Sequence, residues 1–201
     1  MIVIPENLPP KLAKLTWLLG SWRGWGTSGE GAGDPVLIRF DAQILGEQVR
    51  TNTQLIAVEQ VGELSAETNA VDGAAALKPV KLLWEESAYW SVVDPDKGVL
   101  QISSTRSDGL CALWAGKVDG PRMRLLVDTL VRASGAPEIK QGERLYGLVE
   151  SDVFFTETLK GAEQMVTSGR VTRVEDPKPG GENGLAPSEG TSDASEGTSD
   201  E

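Results

Sequence analysis

Histidine is absent from the 201-residue sequence, and cysteine occurs once, at Cys111. The first absence removes His-ligated metal centres, Ser-His-Asp and Cys-His nucleophiles, and the side chain that most often serves as general base near neutral pH. The second rules out a disulfide within the chain and permits a reducing compartment. Basic residues are also scarce: 19 Lys and Arg face 30 Asp and Glu, for a net charge of −11. A nucleic acid or an anionic lipid surface needs a clustered basic face, and the sequence gathers none, so neither partner is expected. No run approaches the roughly 18 apolar residues of a membrane span. The opening Met-Ile-Val-Ile-Pro-Glu lacks the basic and long apolar regions of a secretory signal. The expected location is the cytoplasm.

Glycine (23 residues) and proline (11) are plentiful, and six Trp outnumber three Phe. A Trp is large and wants a partner for its indole N–H, so several of the six should line a core or a pocket. Leu12, Leu15, Leu18 and Leu19 recur at helical spacing after Pro9-Pro10 and before Gly20, which predicts a short helix from Pro10 to Leu19. Beyond it the chain reads as short strands between turns. Candidate strands are 21–26, 36–44, 49–59, 80–86, 88–93, 99–105, 110–118, 122–130, 144–149, 153–159 and 164–175. Asp94-Pro-Asp-Lys-Gly98, Ser107-Asp-Gly109 and Asp119-Gly120 supply turn chemistry between them. This texture, with no long helix, predicts an all-β antiparallel meander, and closing it into a barrel removes its exposed edges. Ala66–Leu77 is expected to be a long loop.

Composition shifts at Asp176. Apolar residues become rare, and Ser-Glu-Gly-Thr-Ser-Asp occurs at 188–193 and again at 195–200. Such a segment buries too little surface to offset ordering entropy, so the expected organisation is a barrel domain over 1–175 and a disordered acidic tail over 176–201.

The strongest local pattern is Gly20-Ser-Trp22-Arg-Gly24-Trp-Gly26, a G-x-W-x-G-x-G motif placed just after the helix. By itself it reads as a tight entry into the first strand, with Trp22 plugging one end of a barrel. In its context it resembles the opening of the nitrobindin family. Trp84-Glu-Glu-Ser-Ala-Tyr89-Trp-Ser-Val92 is similar to that family's H-x-E-x-G-Y-W-R-V segment. Ser107-Asp-Gly109, Glu143-Arg-Leu-Tyr146 and Asp152-Val-Phe-Phe155 fit later turns and hairpins, so the resemblance spans roughly residues 10–174.

The resemblance implies a fatty-acid-binding-protein-like, up-and-down barrel of about ten antiparallel strands with a short N-terminal helix, around an apolar cavity. In that family the cavity typically holds ferric haem on a histidine of the last strand, in a pattern like H-L-x-A-x-L-x-R, with nitric oxide binding and isomerisation of peroxynitrite to nitrate. This sequence departs from that pattern at three places. Matching the terminal Arg to Arg173 puts Val166 at the ligand position, the family's other histidine becomes Trp84, and the opening loop Thr27–Val36 is longer and lacks the family's threonine. Trp84, Tyr89 and Val166 are the expected cavity-lining residues.

Substitute haem ligands are few. Met165 should point to the opposite face of the strand from Val166. Cys111 sits in an apolar run where a buried thiol is inert, and Tyr89 and Tyr146 are expected to hydrogen-bond within the barrel. Of the neighbours Glu85 and Glu86 only one can face inward. No catalytic residue and no cofactor is therefore assigned. The leading expectation is a haem-free barrel that takes a small apolar ligand or serves as a scaffold. One alternative is a haem-binding peroxynitrite isomerase with a substitute ligand; another is an interaction module acting through the acidic tail. A homodimer is left open.

Overall fold

The structure, a computed structural model, describes residues 8–174. The tail expected to be disordered lies outside the described residues.

The chain opens with a 3₁₀ helix, Pro10–Leu18. Leu12, Leu15 and Leu18 are fully buried. Their spacing of three matches the three residues per turn of a 3₁₀ helix and puts them on one line. Trp17 is buried beside them, and the helix rests against the barrel over the strands that follow.

Ten strands come next: β1 (Gly20–Gly29), β2 (Asp34–Leu45), β3 (Gln48–Gln60), β4 (Leu77–Asp94), β5 (Val99–Arg106), β6 (Leu110–Asp119), β7 (Arg122–Arg132), β8 (Ile139–Val149), β9 (Asp152–Gly161) and β10 (Gln164–Val174). Each pairs antiparallel with its sequence neighbour, and β1 pairs with β10 to close the barrel. The expected all-β, ten-stranded meander is therefore what the chain forms. Closure pairs β1 with β10, the two end strands whose edges an open meander would leave free.

Three local expectations are corrected. The candidate strands 80–86 and 88–93 are one 18-residue strand, β4. Ser87 and Ala88 pair in register with both β3 and β5, so no turn interrupts them. Within 66–77 the chain forms a short helix, α1 (Ala70–Ala75). Asn69 caps it, its Oδ1 accepting the backbone N–H groups of Val71 and Asp72 at 3.0 and 2.9 Å, which satisfies donors a helix start leaves free. The supposed loop 27–36 is mostly strand: Ser28 pairs with Asp34, and only 30–33 turn between them.

The pleat sorts the side chains. Trp22, Ile38, Trp90, Leu100, Ile102, Trp114, Leu125 and Val171 point inward and form the core. Trp25 points outward, where α1 covers it, and its Nε1 donates to Asn69 O at 3.1 Å. Among the described residues no helix is long and apolar enough to cross a membrane.

Candidate functional site

The opening motif places β1 against β10. Gly24 and Gly26 lie on the inner face, and a Cβ on either would strike the backbone of β10 at Arg170 O or Ser168 O. Their absent side chains let the two strands approach closely where the barrel closes. Gly20, with φ +116°, turns the chain out of the 3₁₀ helix in a conformation that L side chains rarely adopt. Trp22 is fully buried at the end closed by the helix; its Nε1 donates to Leu18 O at 2.8 Å, and the Arg173 guanidinium stacks 4.3 Å from its ring. Arg173 in turn donates to Leu19 O and Trp17 O. These contacts tie β10, β1 and the helix together.

The expected cavity-lining residues go to different places. Trp84 is on the inner face, packed against the core. Tyr89 points outward and is 40% exposed. It is one residue out of phase with the inward Glu86, Ala88 and Trp90, and strand side chains alternate. Val166 is also on the outer face. It pairs with Thr158 of β9, whereas the lumen side of β10 carries Thr167, Gly169 and Val171, partners of Glu157, Phe155 and Val153. The lumen position next to Val166 is Thr167, hydrogen-bonded to Ser28 at 2.8 Å.

What fills the lumen is a charged lattice that sequence reasoning missed. Arg144 of β8 reaches across the barrel to Glu86 of β4, with Nη1–Oε1 and Nη2–Oε2 distances of 2.8 and 2.6 Å. Its Nε donates to Glu157 of β9 at 2.5 Å. Arg106 of β5 donates to the other Glu157 oxygen at 3.1 Å and also pairs with Asp108. Arg144, Glu86 and Glu157 are only 3%, 4% and 5% exposed. Two indoles sandwich the lattice, Trp114 against Arg144 and Trp84 against Arg106, each 4.1 Å from ring centre to guanidinium carbon. Trp114 and Trp90 satisfy their own N–H groups on Ser104 and Thr51. All four oxygens of Glu86 and Glu157 accept from guanidinium groups, so neither carboxylate stands free as a base. Burial works against the Arg144 charge, but Glu157 and then Glu86 more than offset it and hold its pKa above the ordinary value.

The inward positions do not fit haem. Among the described residues, Cys111 is exposed on the outer face and Tyr89 faces away. Tyr146 is inward, between Trp90 and Phe155. Burial raises its phenol well above the ordinary value, so it is not a ready phenolate. Met165, on the lumen side of β10, is 39% exposed at the rim. Space is closed as well. A Cβ on Gly169, the glycine of β10's inner face, would collide with Ile38 Cδ1 and crowd Phe155. Trp22, Ile38, Trp90 and Ile102 are each 1% exposed, which leaves no water-sized gap against them.

An apolar surface of ligand size lies outside the lumen. A groove of about 500 Å³ runs over the outer face of β7, β8 and β9, floored by Leu145, Gly147 and Phe154.

A family model described as "THAP4-like, heme-binding beta-barrel domain" matches residues 11–172. A peroxynitrite isomerase of Kocuria rhizophila is 28% identical, covering 90% of this chain and 98% of its own length. A ferric nitrobindin-like protein of Streptomyces griseus is 30% identical over 77% of this chain and 75% of its own. The crystal structure of Rv2717c from M. tuberculosis superposes with a TM-score of 0.63 at 20% identity, covering 84% of this chain and all of that one. This last likeness shows the shared fold.

Proposed function

Because the chain belongs to the THAP4-like, haem-binding β-barrel family, we propose that it is a member in which a packed, charge-cross-linked lumen replaces a haem cavity, leaving a haem-free binding barrel. The observation that carries this reading is Arg144. Its guanidinium spans the barrel between two buried carboxylates, and a flat macrocycle could enter only by uncovering all three charges. Breaking such a buried pair costs about 3–5 kcal/mol, which a bound group without an axial nitrogen ligand would have to supply. The zero histidine count agrees.

The family description and the relatives' names favour a second reading, in which this chain binds haem and isomerises peroxynitrite. Among the described residues Met165 is a donor exposed at the lumen rim, and a thioether usually accompanies a histidine. Titrating ferric haem into the purified full chain separates the two readings. A flat difference spectrum in the Soret region, with and without nitric oxide, is expected. A sharp stoichiometric shift abolished by Met165→Leu would establish the second reading and overturn the first.

A small apolar molecule would take its seat on the outer groove over Gly147, whose floor of Leu145 and Phe154 is exposed. Native mass spectrometry of freshly purified protein reads any such adduct. Its loss in Phe154→Ala would place it there.

A further inference from the structure

The groove over Gly147 has a floor and a rim of different character. Phe154 and Leu145 stand 39% and 44% exposed on its floor, and no Cβ on Gly147 would meet another atom, so the centre is open. Its walls carry three cations, Lys117, Arg122 and Arg124, against one acid, Asp119. Arg124 is bonded to Glu143 at 2.5 Å. Lys117 and Arg122 make no ion pair with any described residue. An apolar floor with unneutralised cations on its rim suits an acidic peptide carrying one apolar residue.

The chain itself contains such a peptide. Residues 175–201 hold eight acidic side chains and one basic, Lys178, so most of the net charge of −11 lies there. Leu185 is their one large apolar residue, between Glu182 and Glu189. The segment also starts in the right place. Val174 ends β10, and Phe154 lies on the neighbouring strand opposite Arg170. The β8–β9 turn, the start of β7 and the end of β6 share that end of the barrel. Four residues and one strand spacing, on the order of 13 and 5 Å, separate Val174 from the groove. Fully extended, a segment of this length can reach on the order of 90 Å, and tethering supplies an effective concentration in the millimolar range.

We infer that the groove over Gly147 is the docking site of the chain's own acidic segment, residues 175–201, with Leu185 on Phe154 and Leu145 and flanking carboxylates on Lys117 and Arg122. The docked segment covers this apolar groove of the barrel's outer face. It would thereby compete with any small molecule or second copy for that surface. The inference rests on the groove and on charge, and stands whether or not haem binds.

The test uses the full chain with Cys111→Ser and a nitroxide attached at Ser188→Cys. At about 0.01 M salt, where the Debye length is about 30 Å, the amide signals of Leu145, Gly147 and Phe154 should broaden while those of β2 and β3 do not. Raising salt to about 1 M, where screening acts within about 3 Å, should restore them. So should Lys117→Glu with Arg122→Glu, both exposed positions on the outer face. Leu185→Ser, a substitution beyond β10, should also weaken the effect. Broadening spread evenly over the barrel, or unchanged by both sets of substitutions, would overturn the proposal. Broadening that persists when spin-labelled chains are mixed with separate isotope-labelled ones would overturn it in favour of a second copy.

Discussion

Replacing Arg144 by Met removes the only cation that Glu86 touches among the described residues, and one of the two that touch Glu157. Arg106 still pairs with Glu157 at 3.1 Å, so Glu86 is left as the uncompensated buried charge. Removing one partner of a buried pair costs about 3–5 kcal/mol. Urea unfolding followed by Trp fluorescence reads the effect. With a slope of about 2 kcal/mol per M for a domain of this size, the midpoint should fall by roughly 1.5–2.5 M. Arg144→Met combined with Glu86→Leu should regain most of the loss, because a hydrophobic replacement of similar volume is often neutral or stabilising. A single substitution costing under about 1 kcal/mol would refute the reasoning. So would a double substitution no more stable than the single, since the cost would then lie in lost packing against Trp114.

Gly169→Ala should destabilise by about 1–3 kcal/mol, the range for overpacking, and Ile38→Ala in the same chain should relieve part of it in the same urea assay. Val166→His should leave the Soret region unchanged on haem addition, because the new imidazole would stand on the outer face beside Thr158; a stoichiometric haem complex would show that β10 sits in another register. Hydrogen bonds from Gln54 and then Asn52 hold the Glu85 carboxyl below its ordinary value of 4.5. Its folded-state pKa is depressed, so the stabilisation is complete above 4.5 and is lost as the pH falls through the lowered value. Glu85→Gln should therefore flatten the acid side of a melting-temperature profile, and an unchanged slope would remove Glu85 as its source.

Much of the fold was legible along the chain because its signals are local. The leucines at 12, 15 and 18 marked the first helix, and their spacing of three is the signature of the tighter 3₁₀ form that the chain adopts. The glycine turns separated most strands correctly, while Ser87 was misread as a break because a small polar residue resembles a turn. α1 went unseen since six residues carry too little periodicity, although Asn69 three residues before Asp72 was a capping signal.

The candidate site was less legible. That one of Glu85 and Glu86 faces inward follows from the pleat, and Glu86, in phase with Ala88 and Trp90, does so. Its partner could not be named, because Arg144 is 58 residues away and only barrel closure brings β4 and β8 across a shared lumen. Val166 and Tyr89 were assigned to a cavity by alignment with a motif, and the pleat turned both outward; a shift of one residue reverses a strand side chain. The sequence by itself determined the strand texture, the lack of an imidazole and the acidic segment, all of which are set by composition and short-range spacing. Tertiary structure alone decided that the lumen is crossed by an Arg–Glu lattice between two tryptophans and that the apolar groove faces outward. Both depend on which strands oppose one another around a closed barrel and on the phase of each strand, and neither quantity is encoded in any local run of residues.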